Sequence, residues 1–120
     1  RAMDLKLISD DGDVLRVEMV GPIVESVMMP DLKPFEDLLG SEGYARTVLV
    51  GMAEITLIDS RGLSWLLINH KRFRQTGGRL VVHSIHPQVM EILAVARFER
   101  VLYLAEDEPA ALELLRQPEA

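Results

Sequence analysis

Four consecutive residues, Asp59, Ser60, Arg61 and Gly62, bring a carboxylate, a hydroxyl, a guanidinium and a glycine together at one point of the chain. An apolar stretch precedes them and an amphipathic stretch follows, which predicts a turn between a strand and a helix. Ser60 at such a turn has three possible roles. It could cap the helix, as Asp59 also could, by accepting hydrogen bonds from first-turn amides. It could be a nucleophile, or it could be phosphorylated by a kinase.

The sequence argues against a nucleophilic role for Ser60. The turn does not follow the G-x-S-x-G pattern of serine hydrolases, and the possible histidine bases are His70, His83 and His86. His70 lies ten residues further along the same predicted helix, about 15 Å away along its axis. His83 and His86 follow the next strand, and with no cysteine or carboxylate pattern beside them they indicate capping or surface roles. No metal and no cofactor is therefore predicted.

Length and composition limit the remaining possibilities. The 120 residues predict one domain over residues 1–120, in which Arg1 and Ala2 resemble a cloning remnant before Met3. The sequence has no cysteine, no secretory signal and no apolar run long enough for a membrane span, which favours a cytoplasmic location. The net charge of −6 disfavours nucleic acid and direct membrane insertion, and favours a protein partner or a small molecule.

The elements around the turn alternate between strands and helices. Turn signals and hydrophobic periodicity predict the following order: a hairpin of Leu5–Ser9 with Val14–Val20, a short helix over Pro34–Leu39 ended by Gly40, a buried strand "RTVLVGM", a helix reaching Gln75 before "TGG", a buried strand "RLVVHS", a helix begun by Pro87, a strand "RVLYLA" and a final helix "DEPAALELLRQ". This order predicts an α/β fold with a four- to five-stranded mixed, mostly parallel sheet, an antiparallel N-terminal edge and about four helices.

Side chains of the helix after the turn are candidates for partner binding. Leu63, Leu66 and Leu67 share one helical face, and Trp65 and Ile68 lie roughly opposite it. Trp65 and Ile68 could form a binding patch beside Ser60, because aromatic side chains are favoured anchors, or neighbouring loops could bury them. We take Leu63, Trp65 and Ile68 as the predicted partner-binding residues.

The stretch "LIDSRGLSWLL", with the later "TGGRLVVHSIHPQVMEILAVARFERVLYL", resembles the anti-sigma factor antagonists of bacteria, which are STAS domains. The resemblance covers Thr47–Leu115 and implies the STAS-like (SpoIIAA-like) fold. It also implies that Ser60 is the phosphoacceptor in a loop formed with Asp59, Arg61 and Gly62. In such proteins the unphosphorylated antagonist binds an anti-sigma factor that is itself a serine kinase, and a phosphatase reverses the modification. The implied protein is a regulator of transcription and not an enzyme.

Some residues depart from the family pattern. Arg61 stands where the family has a second hydroxyl residue, and Gly51 and Met52 stand where the third strand often ends in a polar residue. The first strand-to-helix turn, "GPIVES", offers Glu25 or Ser26 in place of the usual acidic residue. Two alternatives therefore stay open: a constitutive STAS scaffold module of a stress-signalling complex or transporter, and, less favoured, an enzyme that uses Ser60.

Overall fold

The computed structural model describes residues 3–24 and 33–117. The described residues form one sheet of five strands: β1 (Asp4–Asp10), β2 (Val14–Val20), β3 (Thr47–Glu54), β4 (Arg79–His83) and β5 (Tyr103–Ala105). They also form four α-helices: α1 (Pro34–Leu39), α2 (Ser60–Gln75), α3 (Pro87–Val95) and α4 (Glu108–Leu115). Two short 3₁₀ helices, Ser41–Ala45 and Phe98–Arg100, were not predicted from the sequence.

The strands lie in the order in which the chain makes them, from β1 at one edge to β5 at the other. β1 pairs antiparallel with β2, and the remaining neighbours pair parallel. The predicted α/β architecture, with its mixed sheet and antiparallel N-terminal edge, is therefore confirmed. Val48–Val50 and Leu80–Val82 lie in buried central strands, as the absence of polar alternation indicated.

A polar turn fixes the N-terminal hairpin. The Asp11 carboxylate accepts hydrogen bonds from the amides of Asp13 and Val14, at 3.0 and 2.7 Å. Gly12 has a φ of +94°, a left-handed conformation that glycine adopts without a steric penalty. Arg46, which directly precedes β3, forms an ion pair with Asp10 at 2.8 Å and ties the hairpin to the next strand.

The described helices cover the two faces of the sheet to different extents. Phe35 of α1, Leu66 and Phe73 of α2 and Leu93 of α3 pack on one face, in the large core cluster. On the other face α4 is the one helix of the described residues, with Ala111 against Leu49 and Val81 in a small cluster. Because the parallel strands end at one edge of the sheet, the turns that precede α2, α3 and α4 meet at this carboxyl edge.

Two sequence predictions lie outside the described residues: those on Arg1 and Ala2 and on the turn residues Glu25 and Ser26. Of the helices in residues 3–24 and 33–117, none combines the length and the apolar character that crossing a membrane requires.

Candidate functional site

The turn between β3 and α2 is built by Asp59. Its backbone is extended, and its side-chain Oδ1 accepts a hydrogen bond from the Gly62 amide at 3.0 Å, so Asp59 is the N-cap of α2. Ser60 is the first helical residue, one position after the cap. The interpretation of Ser60 as the N-cap is therefore wrong, because the neighbouring carboxylate takes that role. Capping does not explain a serine at this position.

Gly62 brings the start of α2 against the segment that follows β2. A Cβ on Gly62 would collide with the carbonyl oxygen of Ile23 and would lie 2.8 Å from the side chain of Ile58. Ile23 also joins the turn through its backbone: its amide donates to the Leu57 carbonyl at 3.0 Å, and its carbonyl accepts from the Asp59 amide at 3.3 Å. Glycine is required here by the close approach of two backbones, and this contact fixes where Ser60 lies.

The Ser60 side chain is exposed at the carboxyl edge of the sheet, and within residues 3–24 and 33–117 its hydroxyl makes no hydrogen bond. At the first position of a helix it lies beside unpaired first-turn amides and the positive end of the helix dipole. Arg61 is exposed next to it. This environment accepts negative charge, and the open hydroxyl is accessible to another protein.

The three predicted partner-binding residues do not form one patch. Leu63 is half-buried beside α3, whereas Trp65 is half-buried on the other flank of α2 and stacks on Phe35 with 5.7 Å between the ring centroids. Ile68 is 54% exposed and lies near the outward crest of α2. Ser64, one turn after Ser60, is also exposed on that crest. The indole of Trp65 packs on the core without being fully buried, and a role of Trp65 in partner binding stays a prediction.

A second group of polar side chains lies on the α4 face of the sheet. Glu18, Gly51 and His83 are paired neighbours on three adjacent strands. A Cβ on Gly51 would meet the Glu18 carboxylate and the His83 ring, so the missing side chain leaves room for both. Burial raises the pKa of Glu18, with Glu54 adding to the rise and Lys6 opposing it. Burial lowers the pKa of His83, against the opposing charges of Glu108 and Asp107.

Sequence reasoning missed this group because it is defined by strand register, which no local motif reports. The predicted surface or capping role is confirmed for His86, whose Nδ1 accepts from the Gln88 amide at 3.3 Å as the N-cap of α3. It is wrong for His83, which is buried and whose Nδ1 bonds with the Ser84 hydroxyl at 2.8 Å. Across the part of the chain that the structure describes, no group of three acidic or histidine side chains could hold a metal ion.

Comparison with known proteins places this geometry in a family. The model of the STAS domain family matches residues 11–111. A candidate anti-sigma factor antagonist of Bordetella bronchiseptica, BtrV, is 27% identical over 107 residues, which cover 89% of this chain and 91% of that protein.

Solved structures have the same fold. The solution structure of TM1081 has a TM-score of 0.74 at 18% identity and covers 92% of this chain and 87% of that one. A crystal structure of TM1081, a candidate anti-sigma factor antagonist from Thermotoga maritima, has a TM-score of 0.68 at 15% identity, covering 96% and 95% of the two chains. An anti-sigma factor antagonist from Mycobacterium paratuberculosis has a TM-score of 0.71 at 17% identity, covering 97% and 96%.

Proposed function

Because the chain belongs to the STAS domain family, we propose that it is an anti-sigma factor antagonist whose binding is switched off by phosphorylation of Ser60. Its partner in this proposal is an anti-sigma factor that is itself a serine kinase. The γ-phosphoryl group of ATP passes to the Ser60 hydroxyl, and ADP and a proton leave. A phosphatase restores the hydroxyl by hydrolysis, which consumes water and releases inorganic phosphate. The chain regulates bacterial transcription in the cytoplasm and performs no catalytic step itself.

The observation that carries the proposal is the position of Ser60 directly after its own cap. Asp59 satisfies the Gly62 amide, so the Ser60 hydroxyl is not needed to complete the helix. It is exposed at the carboxyl edge of the sheet, where α/β proteins bind their ligands. A kinase can therefore reach the hydroxyl without unfolding the helix.

Electrostatics supports a switch that acts on binding and leaves the fold intact. A phosphate adds about −1.5 to −2 charges at neutral pH. The start of α2 tolerates this charge, because first-turn amides and the helix dipole favour an anion there. A partner that covers Ser60 would have to desolvate the same charge beside the Asp59 carboxylate. A loss of about 3 kcal/mol at such an interface weakens binding roughly a hundredfold.

The test uses purified protein with ATP and each kinase-type anti-sigma factor of the same genome. Mass spectrometry should find one phosphate, on Ser60, and calorimetry should show that Ser60→Asp binds the kinase about a hundredfold more weakly than wild type. Ser60→Ala should bind like wild type and accept no phosphate. Ser64→Ala is the matched control, an exposed serine one turn along the same helix, and should behave like wild type in both assays. Phosphorylation of Ser60→Ala at the wild-type rate would contradict the assignment.

A second candidate function follows from Arg61. The resemblance places a second hydroxyl residue at this position, and a guanidinium beside Ser60 changes the surface that a kinase would recognise. In this alternative the domain is a constitutive STAS scaffold module of a stress-signalling complex or a transporter, and no kinase modifies it. Arg61→Ser separates the two functions: a variant that is phosphorylated where wild type is not would favour the scaffold.

An enzymatic role for Ser60 has little support in the described contacts. The buried His70 packs edge-on against Tyr103, with 5.3 Å between the ring centroids, while His83 bonds with Ser84 and His86 caps α3. Each imidazole therefore has contacts away from the start of α2. A serine nucleophile needs an adjacent base to be activated.

A further inference from the structure

An apolar groove lies between α2 and α3, beside the turn that carries Ser60. Its volume is about 500 Å³, and its lining consists of Leu63, Gln88, Glu91, Ile92, Val95 and Ala96. Leu63 follows Ser60 by one turn, so the groove starts next to the proposed phosphorylation site. The other groove residues all belong to α3 or directly follow it.

The outward side of α3 is unusually apolar for a surface helix. Val89 and Leu93 are fully buried and anchor α3 to the core. On the other side Ile92 is 39% exposed and Val95 is 81% exposed. These two side chains follow Gln88 and Glu91 at helical spacing, in a stripe where a surface helix ordinarily carries polar residues. Together with Leu63 they form a continuous apolar surface, which is typical of an interaction site.

The charge of the groove indicates what kind of surface would fit it. Among the described residues of the lining Glu91 is the sole charged one, and it makes no ion pair with any other described residue. The whole chain carries a net charge of −6. An occupant with a basic side chain opposite Glu91 would gain a charge pair, whereas an acidic one would be repelled.

We propose that this groove binds an amphipathic helix of the partner that docks at Ser60, with aliphatic side chains against Leu63, Ile92 and Val95 and a lysine or arginine beside Glu91. The proposal rests on the proposed function, since continuity of the groove with Ser60 is part of the argument. A helix that lays one apolar stripe into a groove between two helices is a common recognition mode. The groove would hold the partner in place while the Ser60 hydroxyl controls its release.

The first test uses an 18-residue probe peptide with leucines on one helical face and lysines on the other, titrated into isotope-labelled protein. Amide NMR shifts should change around Leu63, Ile92 and Val95, and Val95→Asp should weaken binding at least about tenfold. Val101→Asp is the matched control, because Val101 is 46% exposed and lies outside the groove lining, and it should leave the affinity unchanged. Glu91→Lys should weaken the binding of this peptide. A version of the peptide with glutamates in place of lysines should bind poorly to the wild-type protein.

The second test measures how tightly the protein binds the kinase that phosphorylates Ser60. Val95→Asp should weaken its binding at least about tenfold, as Ser60→Asp does by charge. If Ser60→Asp releases the kinase and Val95→Asp does not, the groove inference is wrong and the proposed function stands. Peptide shifts elsewhere on the surface, or equal losses for Val95→Asp and Val101→Asp, would also overturn it. So would a wild-type dimer in sedimentation that Val95→Asp dissociates, because a second copy would then occupy the groove.

Discussion

Two serines follow neighbouring strands at the carboxyl edge of the sheet, Ser60 after β3 and Ser84 after β4, and their surroundings differ. Ser60 is exposed, and its hydroxyl has no hydrogen-bond partner within the described ranges, 3–24 and 33–117. Ser84 is half-buried, has a φ of +58°, and bonds through its hydroxyl with His83 at 2.8 Å. The two turns share a sheet edge but expose their hydroxyls differently.

The residue that caps the following helix explains part of this difference. Asp59 caps α2 from the position just before Ser60, which leaves the Ser60 hydroxyl unused. At the other turn His86 caps α3 from two residues beyond Ser84, and the Ser84 hydroxyl bonds with the His83 ring. Under the proposed function, position at the edge of the sheet is therefore not enough to make a modification site. The serine hydroxyl must also take no part in the hydrogen bonds that hold the turn together.

Replacing Gly62 with alanine should have the largest effect on stability, because it displaces the Ser60 turn. The added Cβ would collide with the Ile23 carbonyl oxygen, a backbone atom that cannot rotate away. We expect a loss of at least about 2 kcal/mol in the free energy of unfolding, measured by urea denaturation. Ser64→Ala on the exposed crest of α2 should change it by less than about 0.5 kcal/mol. A Gly62→Ala protein as stable as wild type would show that the two backbones do not meet.

Removing each cap in turn should show which of the two turns depends more on its cap for stability. Asp59→Ala should cost about 1 kcal/mol of unfolding free energy, within the usual range for a lost carboxylate cap. His86→Ala should cost less, because its imidazole accepts a longer bond of 3.3 Å, compared with 3.0 Å for the Asp59 carboxylate. Thermal and urea denaturation of the two variants measure both losses. Equal losses, or a larger one for His86→Ala, would show that the Asp59 cap is not the stronger of the two.

Most of the fold could be predicted from the sequence, because local signals agree with the tertiary structure. Two glycine-containing turns marked the ends of elements correctly. The acidic turn Asp11–Asp13 separates β1 from β2, and Thr76–Gly78 follows α2. The position of Ser60 at the start of α2 followed from the same kind of signal. The groove and the position of Glu18 and His83 on either side of Gly51 could not be predicted, since they depend on helix spacing and on strand register. The separation of Leu63, which lies beside α3, from Trp65, which stacks on Phe35 of α1, depends on where these two helices pack.

The stability of the protein should also depend on pH through His83, which directly precedes Ser84. Because burial lowers the pKa of His83 below its ordinary 6.5, the folded protein disfavours the charged ring that the unfolded chain accepts. The contribution of the neutral His83 ring to the free energy of unfolding should therefore be fully present above pH 6.5 and should be lost as the pH is lowered through that value. Urea denaturation between pH 7.5 and pH 5 would measure the slope, and His83→Gln should reduce it.

Glu18 provides the control for that slope, since its pKa is shifted in the opposite sense. Burial raises it above 4.5, so its contribution to stability is present below that value and is lost as the pH rises through the folded pKa. Glu18→Gln should accordingly stabilise the protein at pH 7, and the gain should shrink towards pH 4. If His83→Gln and Glu18→Gln change the pH profile in the same direction, the assignment of these two groups is wrong.

The smallest effect on folding should come from the substitution with the largest proposed effect on binding. Ser60→Asp places a carboxylate at the first position of α2, where the helix dipole contributes about 0.3–1 kcal/mol in its favour. The neighbouring Asp59 carboxylate opposes this gain, so the free energy of unfolding should change by less than about 0.5 kcal/mol. Ser84→Asp should lower the free energy of unfolding by more than Ser60→Asp does. Its carboxylate would enter a half-buried site near Glu106, and the bond between the Ser84 hydroxyl and His83 would be lost. Urea denaturation at pH 7 measures both. A Ser60→Asp protein that is partly unfolded would mean that its loss of partner binding reports damage to the fold and not a switch.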